Sequence, residues 1–436
     1  MSMNTTPKGE RIHIALFGRR NAGKSSLINA ITGQDLAIVS DVLGTTTDPV
    51  YKAMEILPLG PVMLIDTPGL DDEGVLGEER IKKARSVLNK TDLALIVADG
   101  NEAAKDFSFE HQILALTKKK NIPSIVVLNK QDLWAGNEAA IQAYGDLCVS
   151  SKTGYHIHEL KELMTTKLPT DDQTGKIVGD LLSPLDFVVL VVPIDSAAPK
   201  GRLILPQQQV IRDVLESGAT AIVCRDTELA DTLKKLGQPP KLVITDSQAF
   251  ASVSKDTPKN IPLTSFSILF SRYKGDLQTQ IEGVKMLDKL KDGDTILMAE
   301  GCTHHRQCDD IGTVKLPRWI SEYTGKKLNF ATSSGGGFPE NLSPYRLIVH
   351  CGGCTLSKRE MAFRIAEAKD QNVPIVNYGT MIAQLKGVLK RSIAPFADAS
   401  PRLILLITLF RYMISSLSLM KISMVSCCEG TRQAYP

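Results

Sequence analysis

Short apolar runs alternate along the chain with segments whose apolar positions recur at helical spacing. Between residues 11 and 168 the runs are RIHIALFG from Arg11, VYKAMEIL from Val50, PVMLIDTPG from Pro61, DLALIVADG from Asp92, SIVVLNK from Ser124 and DLCVSS from Asp146. Each has strand length, and most end in turn-forming residues. Strands alternating with helices predict an α/β domain around a mostly parallel sheet. One junction differs. In EILPLGPVML two runs meet through a tight Pro/Gly turn, which predicts one antiparallel edge hairpin.

The polar stretch 167–180 (KLPTDDQTGKIVGD) reads as a linker. A second α/β pattern follows: LDFVVLVVPID, the helical PQQQVIRDVLESG, TAIVCRD, ELADTLKKLG and KLVITDSQAF. It carries no catalytic constellation, which suits an assembly surface. SKDTPKNIPLTSF, from about residue 254, marks a further boundary. A third block runs from helix GDLQTQIEGVKMLDKL through strand DTILMAEGC, helix PRWISEYTG, strand YRLIVHCGGC and helix KREMAFRIAEAK to VPIVNYGTMIAQLKGVL. The expected organisation is three α/β domains, at 8–168, 177–258 and 264–395, with an atypical tail at 396–436. The 436 residues suffice for two to four domains, each with its own core.

Composition narrows the function. A formal charge of +3 is too small to point to a nucleic-acid or membrane partner. Eight scattered cysteines do not form a secreted disulfide framework, and the N-terminus enters a strand without an apolar signal core. The expected compartment is a reducing cytoplasm, where clustered Cys and His more often bind metal than form disulfides.

Gly18 to Ser25 (GRRNAGKS) fits G-x-x-x-x-G-K-[ST] between a strand and a helix. Its glycines let backbone N–H groups curl around phosphate oxygens, and the helix N-terminus adds positive charge. Lys24 is expected at the β/γ-phosphates and the Ser25 hydroxyl on Mg²⁺. DTPG (Asp66 to Gly69) supplies a carboxylate for the Mg²⁺ shell and a Gly N–H for the γ-phosphate. NKQD (Asn129 to Asp132) resembles the guanine-selecting N-K-x-D motif of GTPases. There Asp132 would accept from guanine N1–H and N2–H₂, donors that adenine lacks at those places. SSKTG (Ser150 to Gly154) resembles the loop that contacts the guanine carbonyl. GTTTD (Gly44 to Asp48), aligned on the Era/TrmE group of GTPases, makes Thr46 the switch threonine.

The nucleotide is therefore GTP. The expected contacts are Gly18, Asn21, Ala22, Gly23, Lys24, Ser25 and Ser26 in the loop, then Asn129, Lys130, Asp132, Ser150, Ser151 and Lys152. Catalysis falls to Lys24, Ser25, Thr46, Asp66 and Gly69, with Ser25, Thr46 and Asp66 around Mg²⁺. Leu70 follows DTPG where a water-orienting Gln could stand, so hydrolysis is expected to be slow. The likeness to the Era/TrmE group implies that Asn21 binds K⁺ and that K⁺ stimulates hydrolysis.

GCTHHRQC brings Cys302, His304, His305 and Cys308; HCGGC brings His350, Cys351 and Cys354. Both follow apolar strands, and parallel neighbouring strands would carry them to one rim, where open α/β sheets bind ligands. Three readings are open: a redox CxxC, a Cys₃His zinc site, or an iron–sulfur cluster on Cys302, Cys351 and Cys354. The redox reading leaves Cys302 and His304 unexplained, and the zinc reading matches the usual ligand spacing only loosely. The glycines between Cys351 and Cys354 leave N–H groups for sulfide, which favours the cluster. His304 or His350 is a candidate fourth ligand or a group beside the ligands. His305 and Cys308 are expected outside the ligand set, and Cys148 and Cys224 in the core.

A GTPase domain, a silent α/β domain, and C-T-H followed by H-C-G-G-C together resemble the FeFe-hydrogenase maturation GTPases, the HydF family, over residues of about 8 to 395. The resemblance implies a dimerising middle domain and a homodimer. It implies a 4Fe–4S cluster on three cysteines in the third domain, with an exchangeable fourth position. It also implies a scaffold or carrier role. The diiron precursor would come from the radical-SAM maturases HydE and HydG and go to apo FeFe-hydrogenase, with GTP turnover regulating partner exchange. An Era-like RNA or ribosome-assembly GTPase with a zinc-stabilised accessory domain is the alternative, and a redox-switched GTPase a third. The tail departs from the family pattern. It is apolar but interrupted by Arg411 and Lys421, and it holds Cys427 and Cys428. A shifted reading frame, a membrane anchor and a lineage-specific helix are its three readings.

Overall fold

The computed structural model describes residues 6–34, 49–68, 83–103, 105–134, 143–168, 175–194, 203–301 and 310–396. It divides into two compact units, residues 1–175 with 354–366, and residues 176–353 with 367–436. The tail from 397 onward, with Cys427 and Cys428, lies outside the described residues.

The first unit is built on a six-stranded sheet. Its strands are β1 (Ile12–Phe17), β2 (Val50–Ile56), β3 (Gly60–Asp66), β4 (Leu93–Asp99), β5 (Ser124–Asn129) and β6 (Leu147–Cys148), in the order β2-β3-β1-β4-β5-β6. The β2–β3 pair is antiparallel, with Tyr51 opposite Ile65, and every other pair is parallel. The expected α/β fold with one antiparallel edge hairpin is the fold observed. β1, β3, β4 and β5 are near-continuous apolar runs because layers cover both of their faces. Helices α1 (Lys24–Thr32) and α4 (Ile157–Lys167) pack Leu27, Ile28, Leu160 and Met164 over Ile14, Leu64 and Leu95. On the other face Ile113 of α3 (Ser108–Lys119), with Val87 and Leu88, packs over Ala15, Phe17 and Ile96. A short helix α2 (Gly100–Ala103) continues from β4. β2, at the edge, keeps Lys52 half-buried and Glu55 exposed.

Segment 354–366 belongs to this unit. Arg359 donates to the carbonyls of Lys120 (3.3 Å) and Asn121 (3.2 Å) and lies 3.7 Å from Asp92. Glu360 pairs with Arg364 at 2.9 Å.

The second unit holds two all-parallel four-stranded sheets. One is β7 (Phe187–Val191), β8 (Thr220–Cys224), β9 (Leu242–Thr245) and β10 (Leu263–Ser265), ordered β10-β9-β7-β8. The other is β11 (Thr295–Ala299), β12 (Asn329–Ser333), β13 (Leu347–His350) and β14 (Ile375–Asn377), ordered β12-β11-β13-β14. One apolar core runs through both, from Val188 and Ile244 to Leu347 and Met381. Two strands have no clear signature in the sequence. β10 (LTS) sits inside the stretch read as a boundary, and β12 (NFATS) is a half-exposed edge strand. The second sheet therefore extends to Ser265, beyond the expected limit at 258. Cys224 is buried as expected, whereas Cys148 is half-buried at the edge strand β6.

Among the described residues no helix is long and apolar enough to cross a membrane. In the second unit, helix Leu277–Val284 lies against β14 through Gly283, where an added Cβ would stand 2.3 Å from the Ile375 carbonyl oxygen. Backbone cannot yield as a flexible side chain can. Gly283→Ala is expected to lower the unfolding free energy of this unit by roughly 2 kcal/mol. Urea denaturation followed by circular dichroism measures it, and an unchanged midpoint would show that the helix shifts freely.

Candidate functional site: a phosphate loop and a thiol cradle

β1 ends at Phe17, and the loop that follows turns into α1 at Lys24. Two residues of this loop take left-handed backbone, Asn21 (φ 59°) and Gly23 (φ 87°). Gly23 is obligatory for a second reason: a Cβ there would lie 2.2 Å from Asn129 Nδ2. Gly18 is pressed against β4, where a Cβ would lie 2.1 Å from the Val97 carbonyl oxygen. Lys24 is buried, and its Nζ donates to the carbonyls of Gly18 and Arg19, both at 2.9 Å. Those bonds hold the ammonium within the loop.

Ser25 Oγ donates to Asp66 Oδ2 at 2.9 Å, so the two expected Mg²⁺ ligands already touch. Burial pushes the Asp66 carboxyl up, against the pull of Ser25, Lys24 and Lys52. Its Oδ1 is buried with no hydrogen-bond partner. A buried carboxylate oxygen without a donor is costly, and a divalent cation beside Ser25 would satisfy it. The donor set fits Mg²⁺. Thr46, Gly69 and Leu70 lie outside the described residues.

At the end of β5, Asn129 is buried and ties three segments together. Its Nδ2 donates to the Ala22 carbonyl (3.1 Å), and its Oδ1 accepts from Ser151 N (3.1 Å) and Oγ (2.9 Å). Asp132 Oδ1 accepts from Ser150 Oγ at 2.6 Å. Lys130, in left-handed backbone, pairs with Asp99 at 2.9 Å. A cleft of about 620 Å³ opens between these motifs, lined by Gly23, Ser26, Asn129, Lys130, Asp132 and Lys152 among others. Its size suits a nucleotide.

In the second unit β11 and β13 are parallel neighbours, with Ala299 opposite His350. The register carries Gly301 and Cys351 to the same rim, as expected. Cys351 N donates to the Ala299 carbonyl at 2.9 Å, the last rung of the ladder. Beyond it, Cys351 Sγ accepts from Gly301 N (3.1 Å) and Gly353 N (3.4 Å). Two N–H groups aimed at one sulfur suit a thiolate. His350 is fully buried, and its Nδ1 lies 2.7 Å from the Cys351 carbonyl oxygen, so Nδ1 carries the proton and donates. Cys351 in this unit and Cys354, the first residue of the segment assigned to the other unit, are both half-buried. Cys302, His304, His305 and Cys308 lie outside the described residues, and among the described ones no group of three or more metal-ligating side chains gathers.

Sequence models of three domains match the chain in succession. One, described as 50S ribosome-binding GTPase, covers residues 13–130. The next two are the hydrogen maturase F dimerization domain at 177–275 and the hydrogen maturase F tetramerization domain at 278–395. The chain belongs to the hydrogen maturase F family. The two models named for oligomerisation domains follow the GTPase model along the chain. The tetramerization domain of this hydrogen maturase F chain includes HCGGC, an assembly role that the cysteine pattern did not suggest.

Outside that family, the chain is similar to the tRNA modification GTPase MnmE of Xanthomonas euvesicatoria pv. vesicatoria. Identity is 38% over 172 residues, covering 39% of this chain and 36% of that one. The MnmE of Heliobacterium modesticaldum is 33% identical over 169 residues, 37% of this chain and 35% of that one. The chain thus spans little more than a third of the length of these relatives. A crystal structure of Aquifex aeolicus Era bound to GDP·AlF4− superposes with a TM-score of 0.32 at 20% identity, covering 49% of this chain and 92% of that one.

Some site residues of this hydrogen maturase F chain escape a motif search. Gly301 could have been found as the glycine that precedes Cys302 at a strand end. Asn377, whose Nδ2 lies 3.5 Å from the Cys351 carbonyl, has no signal beyond a strand-to-helix junction. Asn129→Ala would leave Ala22 and Ser151 without their shared partner. GDP affinity is expected to fall by about 2 kcal/mol, roughly 30-fold, in a fluorescent-nucleotide titration. Wild-type affinity would show that the loop holds its shape without that bridge.

Proposed function

We propose that this chain is a GTP-hydrolysing scaffold that holds a 4Fe–4S cluster on Cys302, Cys351 and Cys354. In this reading it assembles or delivers the diiron precursor of the FeFe-hydrogenase active site, received from HydE and HydG and passed to the apo-hydrogenase. The observation that carries the reading is the Cys351 sulfur under two backbone N–H groups, within a hydrogen maturase F domain. The residues present suit the group: a thiol with aligned donors, a second half-buried thiol at Cys354, and glycines that admit close approach. When bound, a cluster held by three thiolates offers one iron with an exchangeable position, where a second metal fragment can dock and leave.

The chain's own residues supply the rest. Gly301 and Gly353 stabilise negative charge on Cys351 Sγ. His350 donates its Nδ1 proton to the Cys351 carbonyl, which leaves Nε2 as the nitrogen without a proton, so His304 and His350 are both candidates for the fourth ligand or for a place beside the ligands. In the GTPase domain Lys24 meets the β/γ-phosphates, Ser25 and Asp66 hold Mg²⁺ with Thr46, and Gly69 faces the γ-phosphate. Asp132 selects guanine, and Ser150, Ser151 and Lys152 border the base. Leu70 offers no group to orient water, so turnover is slow. Asn21, in left-handed backbone, is the K⁺ ligand in this reading. This reading takes 8–168 as the nucleotide domain and 264–395 as the cluster domain. A homodimer forms through the middle domain, and the compartment is the cytoplasm.

Two expectations test this reading. Cys351→Ala and Cys354→Ala should each lose the iron–sulfur absorption after anaerobic reconstitution and keep GTPase activity, while Lys24→Ala should do the reverse. Full iron in either cysteine variant would remove that residue from the ligand set. GTP turnover should rise roughly 10-fold or more when Na⁺ is replaced by K⁺, and Asn21→Ala should abolish the difference. Equal rates in the two salts would remove K⁺ from the mechanism.

A further inference from the structure

Arg19, the second residue of the phosphate loop, has no part in the nucleotide contacts described above. Its guanidinium turns instead to the start of α3. Nη2 donates to Asp106 Oδ2 at 2.7 Å, and Nε lies 3.5 Å from Glu110 Oε1. Asp106 serves two donors at once, because its Oδ1 accepts the Ser108 N–H at 2.9 Å at the N-terminus of α3. Together these donors hold its carboxyl down at about 2. Glu110 is 1% exposed, and its other oxygen has no hydrogen-bond partner. Burial pushes the Glu110 carboxyl up, and Arg19 opposes that push. A cleft of about 340 Å³ lies against these side chains. Two acidic partners thus hold the guanidinium at the start of α3.

The backbone of Arg19 stands on the other side of the same balance. Its carbonyl, with that of Gly18, accepts the Lys24 ammonium. An ammonium carries three N–H donors, so Lys24 can meet a phosphate while those carbonyls hold it. The loop is thus tied from inside through Lys24 and from outside through the Arg19 guanidinium. We propose that Arg19 is a positioning residue for nucleotide binding, a brace that fixes the phosphate loop to Asp106 and Glu110. The brace acts on the loop in every nucleotide state, so it favours ground state and transition state equally. Its removal should raise KM and leave kcat near its value.

The test is equilibrium titration with fluorescent GDP and GTP, together with steady-state kinetics and melting curves of the full chain. Arg19→Ala should weaken both nucleotides about 10-fold and raise KM to match, with kcat within about twofold. Asp106→Asn, which can serve only one of the two donors, should weaken binding about 3-fold and add nothing to Arg19→Ala. Arg19→Lys should recover part of the loss, because a point charge replaces the fork of donors incompletely. A lower melting temperature with wild-type Kd and KM would overturn the proposal, leaving the brace a stability element only. So would a fall in kcat at constant KM. If Arg19→Ala does not fold, Asp106→Asn decides, and wild-type nucleotide affinity in that variant overturns the proposal.

Discussion

A parallel strand satisfies its backbone through its neighbours only as far as its last rung, and the functional groups of this protein gather just beyond that point. Phe17, Asp66 and Asn129 end β1, β3 and β5, and the phosphate loop, DTPG and NKQD lie at those ends. In the second unit Ala299 and His350 end β11 and β13 side by side, and Gly301 and Cys351 come next. The buried sheet fixes each departure point to within a rung, and the residues that follow are released from the ladder with N–H groups to spare. Rigid strands thus present loose ends, and chemistry can be built on them.

Both sites put that surplus to the same use. A phosphate and a thiolate are anions that need several weak donors converging from one side. In the nucleotide site the donors come from a loop forced into left-handed backbone at Asn21 and Gly23. At the thiol they come from Gly301 and Gly353, the latter also left-handed at φ 61°. At Gly23 glycine is a steric requirement, because a side chain there would run into Asn129. Around the anion sites the remaining polar groups are occupied with holding the scaffold. Asn129 links three loops, and His350 holds the Cys351 carbonyl.

What could be read in advance follows the same division. The phosphate loop and NKQD announce themselves because each needs particular residues at fixed spacing. The hairpin edge and the buried strands of the first sheet announce themselves by period and by apolar runs. β10 and β12 stayed hidden because strands of three and five residues at sheet edges have neither a two-faced pattern nor a continuous run. The Arg19 brace was invisible for another reason. Asp106 and Glu110 lie 87 and 91 positions away in sequence, and nothing in their local pattern marks them as partners of a loop. The cysteines were legible as a set, but their N–H donors depend on register, which only the paired strands reveal.

The proposed scaffold role depends on Cys351 being a cluster thiolate. Anaerobic reconstitution of the full chain with iron and sulfide, followed by metal analysis and EPR of the dithionite-reduced protein, tests it directly. The expected result is about four irons per chain and the signal of a reduced 4Fe–4S cluster. A colourless protein that takes up no iron and holds one tightly bound zinc would contradict it.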